Sequence, residues 1–131
     1  MAKKILVVDD EPDMQAFLAA VLEDNGYETM TASDGDEALE KIKNCRPDLV
    51  SLDLLMPNKT GIKLFRELRK DPVTADIPVV MVTGLTAEDI PQMDFKKFIQ
   101  ERSLRPPEAY IEKPVDTKLL LDAMKEAIGG D

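Results

Sequence analysis

The chain has 131 residues, the size of one domain with a single core. It carries 26 acidic against 17 basic residues, a net charge of −9, and so acidic a surface repels nucleic-acid phosphates. It contains no histidine and one cysteine, which excludes Ser-His-Asp and Cys-His catalysis, histidine metal ligands, intrachain disulfides and thiolate zinc sites.

Short apolar runs rich in β-branched residues alternate with stretches of helical periodicity along the chain. In chain order the runs predict five strands, at Ile5–Val8, Tyr27–Ala32, Leu49–Leu52, Ile77–Val82 and Ala109–Ile111. The stretches between and after them predict helices carrying Phe17 and Leu18, Ala38 and Ile42, Phe65 and Leu68, Phe95 and Phe98, and Leu120 and Met124. Because parallel neighbours need crossover connections, this alternation predicts a parallel sheet in a three-layer α/β/α domain over residues 1–131.

Five polar residues that could together form a site lie at or just after the carboxyl ends of four predicted strands. Asp9 and Asp10 come after the first, Asp53 after the third, Thr83 after the fourth and Lys113 after the fifth. Each alone is more often a helix cap, a turn residue or an ordinary strand residue. Ligands of such sheets bind beyond the carboxyl ends of the strands, so the joint occurrence points to a site.

The chemistry of these groups indicates a cation and a phosphoryl group. Three converging carboxylates repel one another unless a cation lies between them, and hard oxygen ligands select Mg²⁺ or Mn²⁺ over zinc. A carboxylate beside Mg²⁺ can attack a phosphoryl group and form an acyl phosphate. Lys113 and the hydroxyl of Thr83 can stabilise the remaining phosphoryl oxygens.

The chain resembles the receiver domains of bacterial two-component response regulators. The motifs, in the order of that family, are Ile5–Pro12 with Asp9-Asp10-Glu11, Asp53 with Met56-Pro57 and Gly61, Val82-Thr83, and Tyr110–Pro114 with Lys113-Pro114. The resemblance covers essentially the whole chain. It implies a single receiver domain over residues 1–131, similar to a chemotaxis regulator, with the doubly wound, flavodoxin-like (βα)5 fold and strand order 2-1-3-4-5.

The resemblance also implies the metal and phosphoacceptor residues. Asp53 is the expected phosphoacceptor, and Asp10 and Asp53 are expected to bind Mg²⁺, or Mn²⁺, together with the backbone carbonyl of Leu55. Asp9 is expected to reach the ion mostly through a bound water, and Lys113 to pair with the phosphate.

The expected switch is the pair of Thr83 and Tyr110. The hydroxyl of Thr83 would move to the phosphate, and the ring of Tyr110 would turn inward into the space left behind. Receiver domains also imply a cis peptide bond between Lys113 and Pro114.

By the same resemblance the chain is a phosphorylation-activated switch of a two-component phosphorelay, and not an enzyme beyond its own Mg²⁺-dependent phosphorylation and dephosphorylation. A sensor histidine kinase or a histidine phosphotransfer protein would supply the phosphoryl group. An output protein or a second receiver would bind residues 92–112, where a predicted helix over about 92–103 precedes Tyr110 and residues 96–105 hold four basic residues against one acidic. No direct nucleic-acid or membrane partner is expected, and the expected compartment is the cytoplasm, because no apolar run approaches the ~18–20 residues that span a bilayer.

Three alternatives remain open from the sequence. A flavodoxin-like nucleotide binder shares the topology, but the acidic loop at Asp9–Asp13 would repel a phosphate. A phosphatase with an aspartyl nucleophile generally has two Asp separated by one residue, whereas Asp53 is followed by two leucines. A receiver that no longer accepts phosphate and serves only for docking would keep the same fold.

Overall fold

The computed structural model describes residues 3–53, 61–83 and 107–128. The strands among them are β1 (Lys4–Val8), β2 (Glu28–Ala32), β3 (Leu49–Leu52), β4 (Val79–Thr83) and β5 (Ala109–Glu112). The helices among them are α1 (Pro12–Asp24), α2 (Gly35–Cys45), α3 (Gly61–Lys70) and α4 (Thr117–Ile128).

The five strands form one parallel sheet in the order β2-β1-β3-β4-β5. This order and the parallel pairing confirm the fold expected from the resemblance. The strand order reverses between β1 and β3, so the carboxyl ends of these two strands flank the crevice where a ligand of such a sheet binds.

Alternate residues of the central strands belong to two separate cores, one on each face of the sheet. Leu6 and Val8 of β1 pack with residues of α2 and α3, such as Ile42 and Phe65. The opposite face of the sheet packs against α1 and α4 through a second set of buried side chains: Ile5, Val7, Leu18, Leu22, Leu49, Val80, Val82, Ile111, Leu120 and Met124. Burying each Leu, Val or Ile stabilises the fold by about 1.5–3 kcal/mol, so both layers of helices are held to the sheet.

The ends of several elements follow local chemistry. Pro12 begins α1, where its missing N–H costs nothing. Asp34 caps α2: its carboxylate accepts a hydrogen bond from the N–H of Glu37 at 2.8 Å.

Two predicted strands begin later in the structure than in the sequence analysis. Tyr27 lies before β2 and packs on the core that includes α1, and its N–H donates to the carbonyl of Leu22 at the end of that helix. Ile77 lies before β4, with its N–H bonded to the carbonyl of Thr74 in the turn after α3. Both residues are buried or partly buried, but neither belongs to the hydrogen-bonded ladder of the sheet. Residue type alone does not distinguish such a position from a position within a strand.

Several predictions fall outside the described residues: the carbonyl of Leu55 as a metal ligand, the helix over about residues 92–103, and most of the partner surface at residues 92–112. None of the helices in the described ranges is long and apolar enough to cross a membrane.

Candidate functional site

The loop after β1 is short because two features close it. Val8 is the last apolar residue of a strand buried on both faces, and Pro12 already begins α1. The N–H of Asp9 still donates to the carbonyl of Ala32, continuing the ladder with β2, and the carboxylate of Asp9 accepts the N–H of Glu11 at 2.9 Å. Asp9 is therefore fixed, with only 1% of its surface exposed, while Asp10 is exposed.

Asp53 takes the equivalent place one strand away. Its N–H donates to the carbonyl of Val8 at 3.0 Å, which continues the pairing of β3 with β1 beyond Leu52. Asp53 is 5% exposed. Two buried carboxylates thus meet at the carboxyl edge of the sheet because parallel neighbouring strands end there together.

Lys113 supplies a positive charge to both of them. It follows β5, and β4 separates that strand from β3, so the long side chain spans the end of β4. Its Nζ lies 2.9 Å from Oδ2 of Asp9, 3.4 Å from Oδ2 of Asp53 and 3.6 Å from Oε1 of Glu11. The peptide bond between Lys113 and Pro114 is cis, the isomer expected from the resemblance.

The surroundings of Lys113 favour its charged form. Burial taken alone is the largest influence and lowers the pKa of the ammonium group. The hydrogen bond to Asp9 and the negative charges of Asp53 and Asp9 together outweigh it, so the pKa of Lys113 is raised above its usual value. Lys113 therefore remains a cation at neutral pH.

Three carboxylates of this site are close enough to share one cation. One oxygen each from Asp9, Asp10 and Asp53 can be chosen so that all three lie within 4.8 Å of one another. The donor set is hard oxygen, and the chain has no histidine and no cysteine in the cluster. These groups fit a small divalent cation such as Mg²⁺ or Mn²⁺ and do not fit a zinc site built from imidazole or thiolate.

Of the two predicted switch residues, the structure describes the side chain of Tyr110 but not that of Thr83. Thr83 is the last residue of β4, in register with Glu112 of β5, and its side chain lies outside what the structure describes. Tyr110 of β5 is in register with Met81 and packs partly buried against the core beside α2 and α3. Burial raises the pKa of its phenol.

Two contacts of the site were not predicted from the sequence. Glu11 adds a third carboxylate to the neighbours of Lys113, and its position directly after the Asp9-Asp10 pair was a signal that could have indicated this. Gln15 of α1 donates from Nε2 to the carbonyl of Asp9 at 2.6 Å. A glutamine in the first turns of a helix carries no periodic signal, so its contact depends on the fold.

Comparison with known protein families shows which family has this arrangement of residues. A sequence model of the response regulator receiver domain matches residues 5–125. The chain belongs to that family. Receiver domains are signalling domains of two-component response regulators, and the match begins at the second residue of β1 and ends within α4.

Relatives of known name are response regulators longer than this chain. The chain is 34% identical over 125 residues to the phosphate regulon transcriptional regulatory protein PhoB of Escherichia coli K12, which covers 95% of the chain and 51% of PhoB. It is 43% identical over 88 residues to the alkaline phosphatase synthesis transcriptional regulatory protein PhoP of Bacillus subtilis, covering 67% of the chain and 36% of PhoP. The chain thus spans about half the length of PhoB and less of PhoP.

Solved receivers have the same fold over nearly their whole length. The chemotaxis response regulator CheY4 of Vibrio cholerae superposes with a TM-score of 0.82 at 28% identity, covering 97% of this chain and 99% of CheY4. The signal receiver domain of a histidine kinase from Syntrophus aciditrophicus gives 0.83 at 30% identity, covering 98% and 92%.

Membership of the receiver family decides against the nucleotide-binding and phosphatase alternatives. The structure brings Asp9, Asp10, Asp53 and Lys113 together, as the sequence analysis expects, but their individual roles stay predictions. The docking-only alternative differs from a phosphorylated receiver in whether Asp53 accepts a phosphoryl group, and a labelling experiment tests this difference.

Proposed function

We propose that this chain forms a single receiver domain and is a phosphorylation-activated switch in which Asp53 accepts a phosphoryl group from a phosphohistidine. The donor is a sensor histidine kinase or a histidine phosphotransfer protein, and the exchange takes place in the cytoplasm. The observation that carries the proposal is the position of Asp53: a buried carboxylate 3.4 Å from the ammonium group of Lys113 and next to the carboxylates of Asp9 and Asp10.

In the proposed transfer, an oxygen of Asp53 forms a bond to phosphorus while the bond from phosphorus to the donor imidazole breaks. The bonding electron pair leaves with the imidazole nitrogen of the donor protein. This chain has no histidine, and the transfer needs none from it. A bound Mg²⁺ or Mn²⁺ would supply positive charge that offsets the negative charge of the reacting groups. Asp9, Asp10 and Asp53 would hold that ion, with the carbonyl of Leu55 as a further ligand.

Lys113 has two tasks in this proposal. Before transfer it offsets the charge of Asp9 and Asp53. After transfer its ammonium group pairs with the phosphoryl oxygens, and a compact charge on a flexible stem can make that shift without moving the main chain.

The switch then follows from differential binding. The dianionic phosphoryl group stabilises only the conformation in which Thr83 and Lys113 lie against it, and moving a population from 1:99 to 99:1 takes about 5.5 kcal/mol of differential affinity. The ring of Tyr110 would turn inward and change the surface around residues 92–112. An output protein or a second receiver would bind that surface.

Labelling with acetyl phosphate tests the acceptor. The wild type should gain one phosphoryl group in excess Mg²⁺, measured by intact-protein mass spectrometry, and none in EDTA. Asp53→Asn should lose the label, while Asp122→Asn, which removes an exposed carboxylate from α4, should keep it. Wild-type labelling of Asp53→Asn, or full labelling in EDTA, would overturn the proposal and favour the docking-only alternative or another acceptor.

Tyrosine emission tests the switch. The chain has no tryptophan and two tyrosines, so in a Tyr27→Phe background the emission reports Tyr110 alone. Adding beryllofluoride with Mg²⁺, as a mimic of the phosphoryl group, should reduce quenching by acrylamide as the ring turns inward. Thr83→Ala should weaken this response, and unchanged quenching in the parent variant would contradict the switch.

A further inference from the structure

Gln15 links the two loops that follow β1 and β2. Its Nε2 lies 2.6 Å from the carbonyl oxygen of Asp9, 3.2 Å from Oγ of Ser33 and 3.4 Å from the carbonyl oxygen of Ala32. Two of these three neighbours are carbonyl oxygens, which only accept hydrogen bonds, so the amide nitrogen and not the amide oxygen must face them. The contact therefore depends on a donor at this position.

The loop that Gln15 reaches is itself well fixed. The N–H of Ser33 donates to the carboxylate of Glu37 at 2.6 Å, and the carboxylate of Asp34 accepts the N–H of Glu37 at 2.8 Å. This pair is related to a capping box, although the Glu37 carboxylate accepts the N–H of the residue before the N-cap, Asp34. Gln15 thus ties the loop after β1 to a rigid support.

Asp9 and Asp10, in the loop after β1, differ in what holds them. The carboxylate of Asp9 accepts the N–H of Glu11 with one oxygen and the ammonium group of Lys113 with the other. Asp10, among the residues that the structure describes, makes no hydrogen bond or ion pair of its own, although one of its oxygens reaches the cluster. The main chain therefore sets the direction of the Cα–Cβ bond of Asp10, and the peptide plane between Asp9 and Asp10 is part of that main chain.

We propose that Gln15 is a positioning residue for the divalent cation: its hydrogen bond to the carbonyl of Asp9 fixes the Asp9–Asp10 peptide plane and thereby aims the carboxylate of Asp10 at the cluster. This inference rests on the proposed function, because it takes Asp9, Asp10 and Asp53 to be the cation ligands. Gln15 itself binds no ion.

The side-chain type agrees with this role. An amide supplies two N–H donors without charge, so it can hold a carbonyl and the hydroxyl of Ser33 without competing as a cation for the carboxylates. A glutamate at this position would turn a carboxylate toward the carbonyl of Asp9 and lose the donor. Partners that orient ligands in this way typically contribute 10–100-fold to metal affinity.

The test measures Mn²⁺ affinity directly, by electron paramagnetic resonance of the free ion, with no phosphoryl donor present. Gln15→Met keeps the length of the side chain and removes both donors, and it should raise the dissociation constant for Mn²⁺ about tenfold. Gln15→Glu should also weaken binding, although its added negative charge would strengthen it if only charge mattered. With acetyl phosphate, Gln15→Met should need about tenfold more Mg²⁺ for half-maximal labelling while the rate in saturating Mg²⁺ is retained.

The matched control lies at the other end of the same helix. Asn25 also donates from a side-chain amide to a backbone carbonyl, that of Val21, at 2.8 Å. Asn25→Leu should lower the urea midpoint in EDTA about as much as Gln15→Met does and leave the Mn²⁺ dissociation constant within twofold of the wild type.

The outcomes separate this inference from the proposed function. A wild-type Mn²⁺ affinity that Gln15→Met leaves within twofold, while Asp10→Asn weakens it, overturns the role of Gln15 alone. If the wild type binds no Mn²⁺, or if Asp10→Asn binds it as tightly as the wild type, the cation site itself is wrong and the inference falls with it. Should Gln15→Met not unfold cooperatively, Gln15→Glu decides by the same twofold criterion.

Discussion

Near the amino ends of β4 and β5, Arg69 of α3 lies against Glu108; at the opposite edge of the sheet, Lys113 lies against Asp9. The nitrogen-to-oxygen distance is 2.9 Å in both pairs, and the side chains of Arg69 and Asp9 are each only 1% exposed. By distance and burial alone the two sites look alike. They differ in what surrounds the cation.

The guanidinium of Arg69 donates hydrogen bonds to peptide carbonyls as well as to a carboxylate. It donates to Ala75 at 3.2 Å and to Ile77 at 2.7 Å, lies 4.9 Å from the ring centre of Phe65, and meets the carboxylate of Glu108, which also accepts the N–H of Val79. The ion pair between Arg69 and Glu108 joins one positive charge to one negative charge. It connects the end of α3 to the starts of β4 and β5, which is a structural task.

The ammonium group of Lys113 faces an excess of negative charge. Three carboxylates lie within 4 Å of it, those of Asp9, Asp53 and Glu11, and Asp10 is adjacent. A buried ion pair is weak evidence of function, whereas several carboxylates around one ammonium group, open to solvent through Asp10, fit a further cation. The comparison shows that charge balance, more than burial, distinguishes the candidate site.

The largest effect is expected from Arg69→Met. It breaks the ion pair with the carboxylate of Glu108 and removes two hydrogen bonds to carbonyls, so the free energy of unfolding should fall by about 3–5 kcal/mol. Excess Mg²⁺ should restore none of this loss. Urea unfolding followed by circular dichroism measures it, with the exposed neighbour Lys70→Met as the control; a loss no larger than that of the control would contradict the structural role.

Lys113→Met should lower the free energy of unfolding in EDTA by about 2 kcal/mol, less than at Arg69 because the site is partly open to water. Here excess Mg²⁺ should recover most of the loss, since a divalent cation replaces the missing charge between the carboxylates. The exposed Lys118→Met is the matched control. If Mg²⁺ does not reduce the loss of stability in Lys113→Met, the Lys113 site responds like the Arg69 site, and the proposed difference in charge balance is wrong.

Asp10→Asn should raise the free energy of unfolding in EDTA by about 0.5–1 kcal/mol, because it removes repulsion from Asp9 and Asp53 and breaks no contact among the described residues. Stabilisation by Mg²⁺ should shrink in the same variant. Asp13→Asn, in the first turn of α1, should instead destabilise slightly by removing a charge that favours the helix dipole. Destabilisation by Asp10→Asn would show that the cluster has no excess charge to relieve.

The sequence predicts one end of the sheet much better than the other. Asp9 and Asp53 each follow an apolar run directly, and parallel strands bring such residues to the same edge, so pattern alone indicated their proximity. The pairing of Arg69 with Glu108 joins residues 39 apart in the chain, and each reads as an ordinary surface charge. No period of a helix or strand relates them, so that contact becomes visible only in the fold.

The same distinction applies to finer features. The strand order could not be derived from periodicity, because periodicity does not show which strands are neighbours in the sheet. The position of β1 between β2 and β3 was expected from the resemblance. Tyr27 and Ile77 were assigned to strands on residue type, although hydrogen bonds to Leu22 and Thr74 place each outside the ladder. Local chemistry was sufficient for Pro12 as the start of α1.

The smallest effect concerns Tyr110, which lies on β5 between the two charged sites. Desolvation by burial raises the pKa of its phenol above the ordinary value of about 10, so the folded chain holds this proton more tightly than the unfolded chain does. The resulting stability is fully present below about pH 10 and is lost as the pH rises through the higher pKa of the folded state.

The phenolate absorbance of the wild type minus that of Tyr110→Phe isolates this group, and its midpoint should lie above pH 10. Over the same range the free energy of unfolding of the wild type should fall more steeply with pH than that of Tyr110→Phe, which has no proton to lose at this position. Because burial is the first cause of the raised pKa, added salt should change the midpoint little. A midpoint at or below pH 10 would contradict the partial burial of the Tyr110 ring against the core beside α2 and α3.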